Sequence, residues 1–243
     1  MPGITILHPK DLANWEFVGH VVRRLGGSPK YALTDGGAYR GGLFAISLRY
    51  YHGTFYIVIT PVGQNTRIYY SKDIHGPWQF HQLDRAAFDP GLFIEPDGTG
   101  YIATSGGWDG HVTLLKLNMD FSKVIGSQGI FYHTGLEGSH MVKRGDRYYI
   151  FNALPSKLGL TCSRATNIFG PYETIESLNV SGQSKPARDG RMKTSHFESG
   201  IAQRAAAAAL MRDERTQSEP ATFNRNAGGQ RLVGPEDRAR TGR

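Results

Sequence analysis

Apolar and polar residues alternate in short runs over the first 176 positions, and the runs come in pairs around tight Gly-containing turns. Residues 47–60 (SLRYYHGTFYIVIT), 91–104 (GLFIEPDGTGYIAT) and 139–153 (SHMVKRGDRYYIFNA) are three versions of one strand–turn–strand unit. Alternation over a few residues rich in Tyr, Phe, Ile and Val reads as half-buried strand. Further strands are predicted over 66–71 (TRIYYS), 111–117 (HVTLLKL) and 158–163 (LGLTCS), each short and bounded by turn residues. No segment before residue 176 sustains a helical period.

The paired units recur with a period of about 46 residues, which for strand–turn–strand repeats points to a β-propeller with one repeat per four-stranded blade. A second periodic element closes each blade. It reads HPKDLANWEF at 8–17, SKDIHGPWQF at 71–80 and SRATNIFGPYE at 163–173. The blade between the last two ends in LNMDFSKVIG at 117–126, without the aromatic. The expected content is the tail of one blade, then three complete blades ending near Glu173.

After Ser177 the pattern stops. Residues 177–243 contain two aromatics, Phe197 and Phe223, and an alanine run at 205–209. A short helix over 201–215 is compatible with its Ala, Leu, Gln, Glu and Arg content, and disorder is expected from Thr216. The chain therefore divides into a propeller portion, 1–176, and a divergent basic tail, 177–243. The tail reads either as an interaction arm or as a non-native end.

Charge changes the picture less than its total suggests. The net charge is +7, but residues 1–176 hold 16 Lys/Arg against 14 Asp/Glu, and residues 177–243 hold 12 against 7. The basicity belongs mostly to the tail and gives no reason to expect nucleic acid as a partner. The single cysteine, Cys162, excludes an intrachain disulfide and is read as a small core residue of its strand. Nothing reads as a signal peptide, and there is no run of about 18 apolar residues, so no membrane partner is expected. No His/Cys/Asp spacing resembles a zinc site and no Gly-rich loop resembles a phosphate cradle.

Candidate chemistry comes from the register. Tyr101-Ile102 and Tyr149-Ile150 occupy equivalent places, and 12 residues upstream of each stands an acid, Asp89 and Glu137; in the third copy Phe44 or Ala45 stands there. The first strand of each blade lines the central channel, so both acids are expected at one channel mouth. Paired carboxylates in one pocket are how glycosidases work: one stays protonated as acid, and like-charge repulsion helps keep it so. The bland alternative is that Asp89 caps the turn before Pro90 and Glu137 pairs with a surface base.

These segments resemble glycoside hydrolase family 43, the five-bladed propellers acting on xylosides and arabinosides. Residues 2–22 are similar to the end of blade one in the β-xylosidase branch. GLFAISLRYYHGTFYIVIT, FDPGLFIEPDGTGYIAT and LEGSHMVKRGDRYYIF are similar to the openings of blades two, three and four. The resemblance implies that Glu137 is the general acid, Asp89 the modulator of its pKa, and His140 part of the site through the E-G-S-H sequence. Phe44 stands where the family has the Trp of a W-A-P motif and would offer an aromatic face to a sugar. Trp108 completes the expected substrate-binding set. Ser139 stands in place of the family's proline before His140.

The resemblance further implies an inverting single displacement on β-xylosides or α-L-arabinofuranosides, with a xylo- or arabino-oligosaccharide as partner. That mechanism needs a base carboxylate roughly 6.5–9.5 Å from the acid, which the family places early in blade one. No residue of this chain corresponds to it. The first carboxylate, Asp11, reads as a turn residue. Weak or absent turnover is therefore expected, and marginal stability too, because a propeller left open without a recognisable fifth blade exposes unpaired sheet surfaces. No cofactor is expected; some family members hold a channel calcium, which this sequence does not itself indicate. Relatives are secreted or cytoplasmic, so the compartment stays open. Two other readings are a non-catalytic carbohydrate-binding propeller and a WD-repeat interaction propeller, the latter resting on the lone Trp108-Asp109 dipeptide.

Overall fold

The computed structural model describes residues 3–9, 11, 14–34, 37, 38, 41–43, 45–106, 109–157 and 159–175. Phe44, Trp108 and the whole of the expected tail, with its helix at 201–215, lie outside these. The described residues form an all-β structure. A two-stranded sheet pairs β1 (Ile4–Pro9) with β2 (Trp15–Val22). Three four-stranded antiparallel sheets follow in chain order. The second sheet contains β3 (Ile46–Tyr51), β4 (Thr54–Ile59), β5 (Arg67–Ser71) and β6 (Gln79–Gln82). The third contains β7 (Gly91–Ile94), β8 (Gly100–Ser105), β9 (His111–Leu117) and β10 (Val124–Tyr132). The fourth contains β11 (Glu137–Arg144), β12 (Arg147–Leu154), β13 (Gly159–Ala165) and β14 (Glu173–Ile175). Each meanders from its first strand to its last, one sheet per sequence repeat. The HPKDLANWEF segment supplies the end of β1 and the start of β2. The other closing segments lead into or form the last strands β6, β10 and β14.

Local chemistry explains the hairpins. His52 and Gly53 both have positive φ, 44° and 78°, as a two-residue type I′ turn demands, and Gly supplies one of them without steric cost. The turn sets β3 and β4 in continuous register from Ile46↔Ile59 to Tyr51↔Thr54. Between β2 and β3, a 3₁₀ turn at Pro29–Ala32 is capped by Ser28, whose hydroxyl accepts from the Lys30 N–H.

Cores lie between successive sheets. Val58, Ile68, Leu92, Ile102 and Leu115 fill the space between the second and third sheets. Phe93, Ala103, Leu114, Met141 and Ile150 fill that between the third and fourth. Alternation along β7, β8 and β9 sends successive residues to opposite cores, so the third sheet is buried on both faces. The first strands lie side by side, β3 against β7 and β7 against β11. One hydrogen bond spans the first pair, from the Leu92 N–H to Ser47 Oγ at 3.1 Å. Cys162 lies in β13 but is half-buried rather than a core residue. No helix among the described residues is long and apolar enough to cross a membrane.

Candidate active site

The heads of β7 and β11 meet closely enough to bring two carboxylates together. Gly91 opens β7, and a Cβ there would lie 1.9 Å from the Ser139 carbonyl oxygen. Only glycine permits that approach. Two residues before it stands Asp89, in the left-handed region at φ 46° and followed by Pro90. Asp tolerates this region better than most residues, and such conformations persist where the surroundings enforce them.

Three threonines hold the segment that carries Asp89. Thr60 Oγ1 donates to the Ala87 carbonyl at 2.6 Å, Thr66 Oγ1 accepts from the Ala87 N–H at 2.8 Å, and Thr104 Oγ1 donates to the Phe88 carbonyl at 2.7 Å. Thr66 is wholly buried. The loop backbone is thus hydrogen-bonded although it belongs to no strand. Phe88, next to Asp89 in sequence, is 49% exposed.

Glu137 opens β11, half-buried, above the fully buried Leu136. The β11–β12 register breaks between Glu137↔Ala153 and His140↔Phe151, so residues 138 and 139 form a bulge, with Gly138 at φ 62°. The bulge turns the Gly138 N–H onto the Asp89 carboxylate. Behind it, buried Asn152 donates through Nδ2 to Ser139 Oγ at 2.7 Å. Ser139 thus gains a partner that a proline could not have provided.

The electrostatics join the two acids. Burial first, and the charge of Glu137 second, push the Asp89 carboxyl up from 3.8 to about 6, against the Gly138 N–H, which favours its ionised form. His140, three residues beyond Glu137, is 4% exposed, and its Nε2 lies 2.7 Å from Arg49 Nη2. Burial and then the Arg49 charge hold its pKa well below the usual histidine value. Asp11 lies in the β1–β2 loop. Its carboxylate accepts from the Asn14 N–H at 2.6 Å and the Asn14 side-chain amide at 2.7 Å, the bonding of a turn residue.

Of the five residues singled out from the sequence, Asp89, Glu137 and His140 gather around the heads of β7 and β11, while Phe44 and Trp108 lie outside the described residues. Sequence reasoning missed Arg49, Phe88 and the threonine ties. Arg49 alone had a readable signal, as a charged residue at an alternating position of an otherwise uncharged first strand.

Four-stranded sheets joined through their first strands, with coupled carboxylates at the heads of two adjacent ones, define a propeller of the paired-carboxylate class. The family model for glycosyl hydrolases family 43 matches residues 1–204. The chain belongs to that family. A xylan 1,3-β-xylosidase of Vibrio sp is 29% identical over 196 residues, covering 71% of this chain and 36% of the relative. A non-reducing end α-L-arabinofuranosidase of Bacteroides ovatus is 30% identical over 190 residues, covering 71% and 34%. Among solved structures, the GH43 protein BlXynB of Bacillus licheniformis superposes with a TM-score of 0.63 at 26% identity, covering 75% of this chain and 38% of that one. The chain thus spans about a third of the length of the curated relatives it matches.

Proposed function

We propose that this chain carries the acid half of a glycoside hydrolase site acting on β-xylosides or α-L-arabinofuranosides by inverting single displacement. Glu137 is the general acid that protonates the departing glycosidic oxygen. Asp89 is the modulator, acting on Glu137 through the same charge coupling that raises its own pKa. His140 and the aromatic rings of Phe44, Trp108 and Phe88 contribute to holding the sugar. The observation that carries the reading is the pairing itself. Two acids 48 residues apart in sequence meet at adjacent strand heads and feel each other's charge.

Inversion also requires a carboxylate to activate water on the opposite face of the sugar. Among the described residues, Asp11 is engaged with Asn14 in a hairpin loop and is not assigned that role. A second reading is sugar binding without turnover.

The test incubates the chain with 4-nitrophenyl β-D-xyloside and 4-nitrophenyl α-L-arabinofuranoside, beside Glu137→Gln. The expected result is slow release or none, with any release lost in the variant. Release that survives Glu137→Gln would remove Glu137 from the acid role. No release, but saturable binding of xylo- or arabino-oligosaccharide by the folded chain, would favour the second reading.

A further inference from the structure

We propose that Arg49 is a positioning residue of this site: its guanidinium fixes His140 as a neutral imidazole with its proton on Nδ1. The two residues come from sheets that are not neighbours, Arg49 from β3 and His140 from β11, with the first strand of the third sheet between them in the series. Arg49 is 9% exposed and His140 4%. Arg49 Nη2 lies 2.7 Å from His140 Nε2 and 3.1 Å from the Met141 carbonyl, and Nη1 lies 3.1 Å from the Leu48 carbonyl.

A guanidinium has only donors. Nε2 must therefore present its lone pair, which excludes both the imidazolium and the Nε2–H tautomer and leaves the proton on Nδ1. A buried cation needs compensating partners, and here it finds two carbonyls and one ring nitrogen. Burial lowers the Arg49 pKa only to about 10, so it is still a cation at neutral pH. A lysine could supply the charge but not the planar fork that serves three acceptors at once.

Two consequences follow. With Nε2 engaged, His140 can serve a ligand only as a hydrogen-bond donor through Nδ1–H. In addition, a channel calcium does not fit at His140. The Nε2 lone pair is taken, a fixed positive charge stands beside it, and among the described residues no three His, Cys, Asp or Glu side chains gather to hold a metal. The part Arg49 plays in sugar binding rests on the glycosidase reading; the tautomer does not.

The test is ¹⁵N NMR of the histidine-labelled full chain at neutral pH, with His140→Gln identifying the signals of residue 140. The proposal expects one bare and one protonated nitrogen, the bare one being Nε2 by its coupling to the ring Hδ2. It expects these signals to stay put when calcium is added, and Nε2 to gain proton occupancy in Arg49→Met. An imidazolium or an Nε2–H tautomer in the parent overturns it. So does a folded Arg49→Met with unchanged His140 signals, and a calcium-dependent shift overturns the second consequence. The parent spectrum decides the tautomer even if Arg49→Met fails to fold. Since it needs no turnover, the tautomer is decided separately from the glycosidase reading, which falls if nitrophenol release survives Glu137→Gln.

Discussion

The third sheet and the β1–β2 hairpin are built from the same alternating pattern but end in different environments. In the third sheet Leu92 and Ile102 face one core, while Phe93 and Ala103 face the other. In the hairpin only one face finds a core, through Ile4, Val21 and Val22. On its other face the cross-strand pair Leu7↔Phe17 and the adjacent Trp15 are 52%, 60% and 56% exposed. Alternation specifies which residues share a face, and neighbours decide whether that face is buried. The candidate site stands on the better-covered side, because Asp89 precedes the first strand of the third sheet and Glu137 opens the sheet packed against it.

Gly91→Val is expected to have the largest effect on that comparison. Its side chain would meet a backbone carbonyl, so the heads of β7 and β11 must part, at a cost of about 3 kcal/mol or more. Urea denaturation should show the loss, and a variant as stable as the parent would mean that the strand heads are not in contact. Ile102→Ala removes a fully buried side chain from the core between the second and third sheets. It should destabilise by about 2–5 kcal/mol.

Asp89→Asn should act in the opposite direction. Burial, and then the Glu137 charge, push the native carboxyl up from 3.8 to about 6. Below about pH 4 both states hold the proton and Asp89 contributes nothing. Between there and pH 6 the native state binds more proton, so stability falls as pH rises, and the cost persists above pH 6. The variant should therefore be the more stable at pH 7, by at most about 3 kcal/mol, and the gain should vanish near pH 4. Thermal melts across that range check the sign.

Tyr148→Phe probes the far ends of the same strands. There Tyr148 Oη donates to Glu95 Oε1 at 2.6 Å and accepts from Lys143 Nζ at 2.9 Å, while Lys143 also reaches Glu95 Oε2 at 3.1 Å. Loss of the hydroxyl should cost about 1–2 kcal/mol. Phe17→Ser, on the uncovered face of the hairpin, should change stability by no more than about 0.5 kcal/mol. A larger loss there would mean that something covers that face.

Much of this was legible because strands and turns are local. The expected strand 111–117 and the observed β9 coincide, and the paired units became β3–β4, β7–β8 and β11–β12. Repeat register also picked out Asp89 and Glu137 as candidates, since equivalent positions in a propeller converge in space. The inner face of β3 was not legible. Ser47 and Arg49 are buried there, while Leu48 and Tyr50 are 49% and 54% exposed, so reading apolar as inward selects the wrong face. Nor could local pattern show that Arg49 meets a histidine 91 residues away, or that three threonines fasten the loop before Asp89. Those contacts depend on how sheets sit against one another, which alternation within a sheet does not encode.

The most direct test of the paired-carboxylate site is a ¹³C NMR titration of the Asp89 carboxyl in the parent chain and in Glu137→Gln. The account predicts a midpoint of about 6 in the parent. It predicts a lower midpoint in the variant, still above the usual aspartate range because burial is the larger cause. A parent midpoint in the usual range, unmoved by Glu137→Gln, would mean that the two acids do not share a pocket.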